Sequence, residues 1–363
     1  MQEKDGGGFY VSKHNLPLRV QITPGKGREY VASTSLASDQ IVFRVHPFAA
    51  AIFDSSKKRV CAHCLCTHPT RFFRLHCTGC DQVYFCSRPC ADQYLGDGTH
   101  QQLACGALRK LATLKADRHG KSVAKLVVLI LWQRQRAAPM CEDATIPPTY
   151  DDVKALESHY SDWSIDQIQE WRRLHQFFTK HLGPLLPPNQ TMTDIMHLVS
   201  RIESNGFGIF LEKALSNADP IGRAIYPLAS LLNHSCDPNC EVEQCTEHNL
   251  NEEELPIVID PSSHGPDDAS PPASAALKKR TKKHMKQSIA KPSPTTYYPP
   301  EFTQPRGSFR MMLIRTLRSV PMDEPLTISY VDTSLPVAAR RQKLLQDYYF
   351  ECQCAKCLRD LDR

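Results

Sequence analysis

Eleven of the fifteen cysteines and one histidine stand at spacings that gather ligands around a metal ion. Cys61-x-x-Cys64, Cys77-x-x-Cys80, Cys86-x-x-x-Cys90 and His100-x4-Cys105 offer eight ligands, enough for two closed tetrahedral zinc sites with four ligands each. A further set lies far apart in the chain. The segment Asn233-His234-Ser235-Cys236-Asp237-Pro238-Asn239-Cys240 precedes the triplet Cys352-x-Cys354-x-x-Cys357 by more than a hundred residues. One cysteine of that segment, taken as Cys236, completes a four-thiolate site with Cys352, Cys354 and Cys357 and staples the last part of the sequence over the loop. Four protein ligands leave no open position for water or substrate, so all three zinc ions are expected to be structural.

A disulfide framework is the competing use of so many cysteines. The sequence opens Met1-Gln2-Glu3-Lys4 with no apolar leader region, so a reducing compartment and thiolates on zinc are expected. Cys66, Cys141, Cys240 and Cys245 are left as ordinary buried or surface thiols.

Other features bound the elements that must position these ligands. At 363 residues the chain has room for two or three domains. Its longest apolar run, 126–132, is too short to span a bilayer, so a soluble protein with no membrane association is expected. The net charge is +5, and the run Lys278-Lys279-Arg280-Thr281-Lys282-Lys283-His284-Met285-Lys286 alone carries six positive charges, leaving the remainder near neutral. The basicity therefore marks a segment rather than a nucleic-acid-binding surface, and the run reads as a nuclear-localisation signal. In 61–105, Arg71, Arg74 and Arg88 balance Asp81, Asp92 and Asp97, so DNA binding is not expected to be the main role of this module.

The basic run sits in 246–308, which is rich in Pro, Ser, Ala and charge and reads as a disordered insertion, with Ile257-Val258-Ile259 as a candidate edge strand. On either side the pattern is β-rich. Strands are predicted over 16–22, 30–33 and 40–44, and 309–320 and 326–330 read as the two arms of a hairpin turning at Pro321-Met322-Asp323-Glu324-Pro325. Apolar residues at i, i+3 and i+4 predict helices in 106–132, 150–182, 191–203 and 335–349, with Trp132, Trp163 and Trp171 as core anchors.

Taken in order, these motifs resemble the SET and MYND-domain (SMYD) family of protein lysine methyltransferases. The likeness rests on Gly25-Lys26-Gly27-Arg28, the cysteine-rich finger around Val83-Tyr84-Phe85-Cys86-Ser87, Asn205-Gly206-Phe207, 226–236 ending in Asn233-His234-Ser235-Cys236, the strand ending Ile328-Ser329-Tyr330, and 348–357 with its cysteine triplet. It departs in four places: four residues separate His100 from Cys105 where three are usual, no tryptophan precedes His100, Glu29 stands where a glycine is usual, and the sequence stops at Arg363 where the best-known members continue into a helical C-terminal domain. The resemblance implies an α+β fold: a SET-domain β-fold interrupted by a MYND zinc finger and a helical insertion, with a zinc-binding post-SET segment. The chain then divides into 1–60 and 201–245 with 309–334 as the SET core, 61–105 as the finger, 106–200 as the helical region, 246–308 as the insertion, and 335–363 as the post-SET segment.

The same resemblance implies S-adenosyl-L-methionine as cofactor and a protein lysine as acceptor. Lys26, Arg28, Asn205, Ser230, Asn233 and His234 would hold the polar parts of the cofactor and Phe350 would stack on its adenine. Tyr330 would be the catalytic residue, with Tyr348 and Phe207 lining the lysine channel. A monomer in the nucleus or cytoplasm, with proline-rich peptides as further partners of the finger, completes the expectation. An interaction scaffold with an inactive SET domain is the reading from a different class.

Overall fold

The computed structural model describes residues 6–68, 71–136, 148–186, 188–210, 219–244 and 311–361. The 246–308 insertion, its basic run, the candidate strand at 257–259, Cys141 and Cys245 lie outside the described residues.

The strands are β1 (Leu18–Thr23), β2 (Gly27–Ala32), β3 (Ile41–Val45), β4 (Ala49–Ile52), β5 (Leu75–His76), β6 (Tyr84–Phe85), β7 (Gly206–Ile209), β8 (Gly222–Ile225), β9 (Asn233–His234), β10 (Cys240–Gln244), β11 (Met312–Thr316) and β12 (Thr327–Ile328). Among the described residues they form five small sheets: β1 with β2, β10-β11-β3, β4-β8-β7, β12 with β9, and β5 with β6. The β1–β2 hairpin turns at Gly25 and Gly27, whose φ angles of +74° and +70° are costly for any residue with a Cβ. That turn is why Gly-Lys-Gly stands there.

All the pairings are antiparallel except β9 with β12, where Asn233 faces Thr327 and Ile328 faces His234 in parallel. The hairpin expected over 309–330 does not form. Instead β11 pairs with β10 and β3, and the prolines at 321 and 325 lead the chain away to β12. Asn239 holds that segment: its Nδ2 donates to Pro325 O at 2.9 Å and its Oδ1 accepts from Thr327 N at 2.8 Å.

The expected helices are present but subdivided. The 106–132 region is two helices, Cys105–Ala112 and Arg118–Gln135, because Asp117 caps the second through Gly120 N and ends the continuity. The 150–182 region becomes Tyr150–Lys154, Ile165–Glu170 and Arg172–His181, with Thr149 and Ser164 forming capping boxes. Met192–Asn205 and Val337–Tyr348 complete the set that frames the site. Trp132, Trp163 and Trp171 are all buried.

From Val123 to Trp132 the helix Arg118–Gln135 is buried on every side, so its apolar residues run continuously instead of forming a stripe. Lys125 is the exception in that run. Its Nζ donates to Ile52 O at 2.9 Å and Gln82 O at 3.4 Å, with Asp54 at 3.5 Å, tying the cysteine-rich module to β4. Burial pushes this amine down to about 8, against the pull of Asp54. None of the helices in the described residues is long and apolar enough to cross a membrane.

Candidate active site and metal centres

The twelve expected metal ligands fall into three groups of four, within each of which the ligand atoms lie within 4.8 Å of one another. Cys61, Cys64, Cys86 and Cys90 form one group, Cys77, Cys80, His100 and Cys105 the second, and Cys236, Cys352, Cys354 and Cys357 the third. The first two interleave along the chain, so each zinc site encloses part of the other. Sulfur separations of 3.6 Å for Cys64–Cys86, 3.7 Å for Cys77–Cys105 and 3.9 Å for Cys236–Cys352 suit a tetrahedron with Zn–S bonds of about 2.3 Å, whose edge is about 3.8 Å. The donor sets therefore fit zinc.

The unusual His100-x4-Cys105 spacing has a local explanation. His100–Ala104 is a π-helical turn, and Cys105 N donates to His100 O, a bond five residues back. The wider turn returns residue 105 to the face occupied by residue 100. Burial, with Arg136 nearby, lowers His100 to about 4, so its ring is neutral and able to ligate. Its Nε2 lies 3.6 Å from Cys80 Sγ.

Around the third group the structure gathers Tyr330, Tyr348, His234 and Phe350 of the expected residues. The Tyr330 and Tyr348 rings lie 4.8 Å apart, His234 and Tyr330 5.3 Å, and His234 and Phe350 5.9 Å. The Tyr330 hydroxyl donates to Leu232 O at 2.7 Å and its main-chain N–H donates to His234 Nδ1 at 3.0 Å. Burial raises the Tyr330 hydroxyl well above its ordinary range, aided by Tyr348, so it stays protonated at any working pH. Burial likewise lowers His234 to about 4, with Arg340 adding to the effect. Tyr348 is half-buried behind Tyr330, at the end of the helix Val337–Tyr348. Tyr349, in the left-handed region at φ +63°, then redirects the chain to Phe350 and the triplet.

A second part of the constellation lies at the β1–β2 turn. Asn233 Nδ2 donates to Lys26 O at 3.1 Å and approaches Glu29 Oε2 at 3.4 Å. Arg28 reaches away to Ala155 O at 2.6 Å. Asn205 Nδ2 donates to Glu157 O and Arg201 O, and Ser230 Oγ donates to Tyr226 O at 3.0 Å with Asn205 O at 3.5 Å. Phe207 packs edge-on to Tyr226 at 5.7 Å. Lys26 and Asn233 thus meet through the turn, Asn205 and Ser230 meet through the end of Met192–Asn205, and Arg28 is engaged by the helical region.

Three residues given no site role in the sequence reading stand beside these groups. Glu29 is 2% exposed and its carboxylate accepts from Thr23 Oγ1, from Gln21 Nε2 at 2.9 Å and from Asn233. Burial pushes Glu29 up, but these donors and Lys26 outweigh it and hold the carboxyl below its ordinary range. Asn239 fixes β12 as described. Arg340, buried in Val337–Tyr348, donates from Nη2 to Asp360 at 2.7 Å and lies 3.5 Å from Cys357 Sγ, placing a cation beside the third thiolate cluster. Glu29 carried a sequence signal, a charge at a position usually glycine; nothing in the sequence separates Arg340 and Asn239 from the many polar residues that face water.

Known proteins resemble this chain over nearly its whole length but at low identity. Histone-lysine N-methyltransferase Smyd1 of Mus musculus is 23% identical over 346 residues, covering 95% of this chain and 56% of the relative. A SET and MYND domain-containing protein of Dictyostelium discoideum is 24% identical, with coverages of 95% and 60%, and Histone-lysine N-methyltransferase SMYD3 of Homo sapiens is 24% identical, with coverages of 94% and 62%. The chain spans a little over half the length of these relatives. No protein-family model matches it. A solved structure of the SET domain of LSMT bound to lysine and AdoHcy is 12% identical, covers 95% of this chain and 56% of that one, and has a TM-score of 0.42, too remote a likeness to carry an argument. The chain is similar to SET and MYND-domain proteins over nearly its whole length, as its motifs imply, and its mixed helix and sheet content with three metal-ligand clusters agrees with the α+β expectation.

Proposed function

We propose that the chain is a zinc-containing, S-adenosylmethionine-dependent protein-lysine N-methyltransferase. The observation that carries this reading is the convergence of Tyr330, Tyr348, His234 and Phe350 beside a four-cysteine cluster, in a chain whose relatives are named lysine methyltransferases. S-Adenosylmethionine, when bound, supplies a methyl group already activated by a sulfonium. Asn233, Lys26, Asn205 and Ser230, with the main chain of His234, would hold its polar parts, and Phe350 its adenine. The chain's own residues then position the amine and exclude water.

Tyr330 is suited to that task and unsuited to act as a base. Its proton is committed to Leu232 O, so its oxygen lone pairs are left to face an amine in the channel, while Tyr348 and Phe207 form apolar walls. The amine must arrive neutral, and the apolar surroundings favour that form. The same reading carries a nuclear or cytoplasmic location with 278–286 as an import signal, a monomeric chain, and proline-rich peptides rather than DNA as partners of the charge-balanced finger.

The test is methyl transfer from isotopically labelled cofactor to a protein extract, followed by Tyr330→Phe. This change keeps the ring and removes one hydroxyl. Single-turnover transfer should fall roughly ten- to a thousand-fold, and cofactor affinity should stay within about three-fold of wild type. Unchanged transfer and product distribution would remove Tyr330 from the active site. No transfer to any extract, with proline-rich peptides still bound by the finger, would leave an interaction scaffold.

A further inference from the structure

His234 touches both the metal cluster and the strand end bearing Tyr330. A neutral imidazole has one donor and one acceptor nitrogen. Nδ1 accepts the Tyr330 N–H at 3.0 Å, so the ring hydrogen resides on Nε2, which lies 3.2 Å from Cys236 Sγ. That contact is closer than the 3.4 and 3.9 Å separating Cys236 Sγ from its fellow ligands Cys357 and Cys352. His234 is not among the four atoms that enclose the metal position. Its place is outside the cluster, donating to a ligand sulfur.

The surrounding bonds make this a bridge rather than a single contact. Ser235 N donates to Ile328 O at 3.0 Å, and the parallel β9–β12 pairing fixes His234 opposite Ile328, two residues before Tyr330. The Tyr330 hydroxyl returns to Leu232 O, two residues before His234. The tyrosine is therefore held at its ring and its main chain by the same three-residue segment, and that segment is tied to the cluster by the chain running on to Cys236 and by one side-chain N–H···S bond. A donor to a zinc-bound thiolate offsets part of its negative charge and orients it.

We propose that His234 is a positioning residue that couples the Cys236, Cys352, Cys354 and Cys357 metal centre to Tyr330, its Nε2–H restraining the ligand sulfur and its Nδ1 restraining the tyrosine backbone. The turnover part rests on the methyltransferase reading; the metal part does not. Two amides separate the halves of the bridge. His234→Asn places a carbonyl oxygen near the Nδ1 position, keeping the acceptor for Tyr330 N–H and losing the donor to Cys236. His234→Gln places an amide N–H near the Nε2 position, keeping the donor and losing the acceptor.

The experiment uses the full zinc-loaded chain, a chelator and a metallochromic dye, following release of all three zinc ions in the same sample. The two finger zincs serve as internal controls for intact folding. His234→Asn should release one of the three zincs about ten-fold faster than wild type, with the other two unchanged. His234→Gln should release that zinc at least three-fold more slowly than His234→Asn does, while lowering single-turnover methyl transfer about ten-fold with cofactor affinity less affected. Wild-type release rates in both variants, equal acceleration in both, or loss of all three zincs together would each overturn the bridge. If the release rates separate as stated but wild type shows no methyl transfer, the metal half stands and the functional reading fails.

Discussion

At the scale of single residues, Glu29 stands where the SET and MYND-domain pattern usually has a glycine. Glu29 is a buried carboxylate with Thr23, Gln21 and Asn233 all donating to it. Both amide hydrogens of Asn233 are thereby turned toward the turn, leaving its Oδ1 to accept from a bound ligand. Because the folded state holds Glu29 below its ordinary range, the unfolded chain binds more protons in mild acid, and stability from this group is full above the ordinary glutamate range and lost as pH falls through the depressed value. Glu29→Gln should cost about 2 kcal/mol at neutral pH, the worth of charge-assisted bonds to a buried acceptor, and the gap to wild type should narrow in acid. Denaturant unfolding of both proteins across that range measures it; a gap independent of pH would mean that the carboxylate's charge is not what the donors hold.

What could be read in the sequence, and what could not, divides by how far apart the partners lie. The metal ligands were readable because zinc imposes ligand type and spacing on the chain itself, and His100, Cys105 and the Cys352 triplet each sit in one local segment. The pairing of the eight finger ligands was not readable, since spacing alone allows several partitions. Nor were Asn239 and Arg340, whose roles come from Thr327, Pro325 and Cys357 brought in by the tertiary fold.

At the scale of elements, the cysteine-rich module behaves as one unit rather than two. Cys77 and Cys80 lie between the two ligand pairs of the first site, and Cys86 and Cys90 lie between the two halves of the second. Freeing one zinc therefore loosens the chain that carries the ligands of the other. Cys80→Ala should take metal content from three zincs per chain toward one, read by metal analysis after gel filtration; a protein that keeps two tightly held zincs would show the sites to be independent. The expected hairpin over 309–330 failed at this same scale. Its alternation was right for strands and the turn at 321–324 forms, with Glu324 N donating to Pro321 O at 3.2 Å, but the flanking residues pair with 31–36 and β12 finds its partner in β9, about ninety residues upstream. Alternation reports that a strand forms, not which strand it joins.

At the scale of the whole molecule, the described residues on either side of 245–310 meet in one ladder. Gln244 at the end of β10 is directly opposite Met312 at the start of β11. Replacing 246–308 with a short turn should keep zinc content and cofactor affinity, and leave the thermal midpoint within a few degrees of the full chain. Loss of zinc or of cofactor binding would assign the segment a part in the fold. The same shortened protein, compared in cells with the full chain, shows whether 278–286 directs nuclear import.

The Gln244–Met312 pairing also bears on what lengths this chain can take over evolutionary time. Bridges such as Val31 to Pro325 already close loops running most of the length of the sequence, and closure entropy grows only with the logarithm of that length, at about 0.6 kcal/mol for a doubling. Tens of residues gained or lost between the two strand ends are thus nearly silent thermodynamically. Upstream of β10 the position is reversed, for one residue added between Asn233 and Cys236 would shift the imidazole relative to Cys236 or to Tyr330. Tolerance to insertion should fall from tens of residues to none between the far end of β10 and the loop that precedes it.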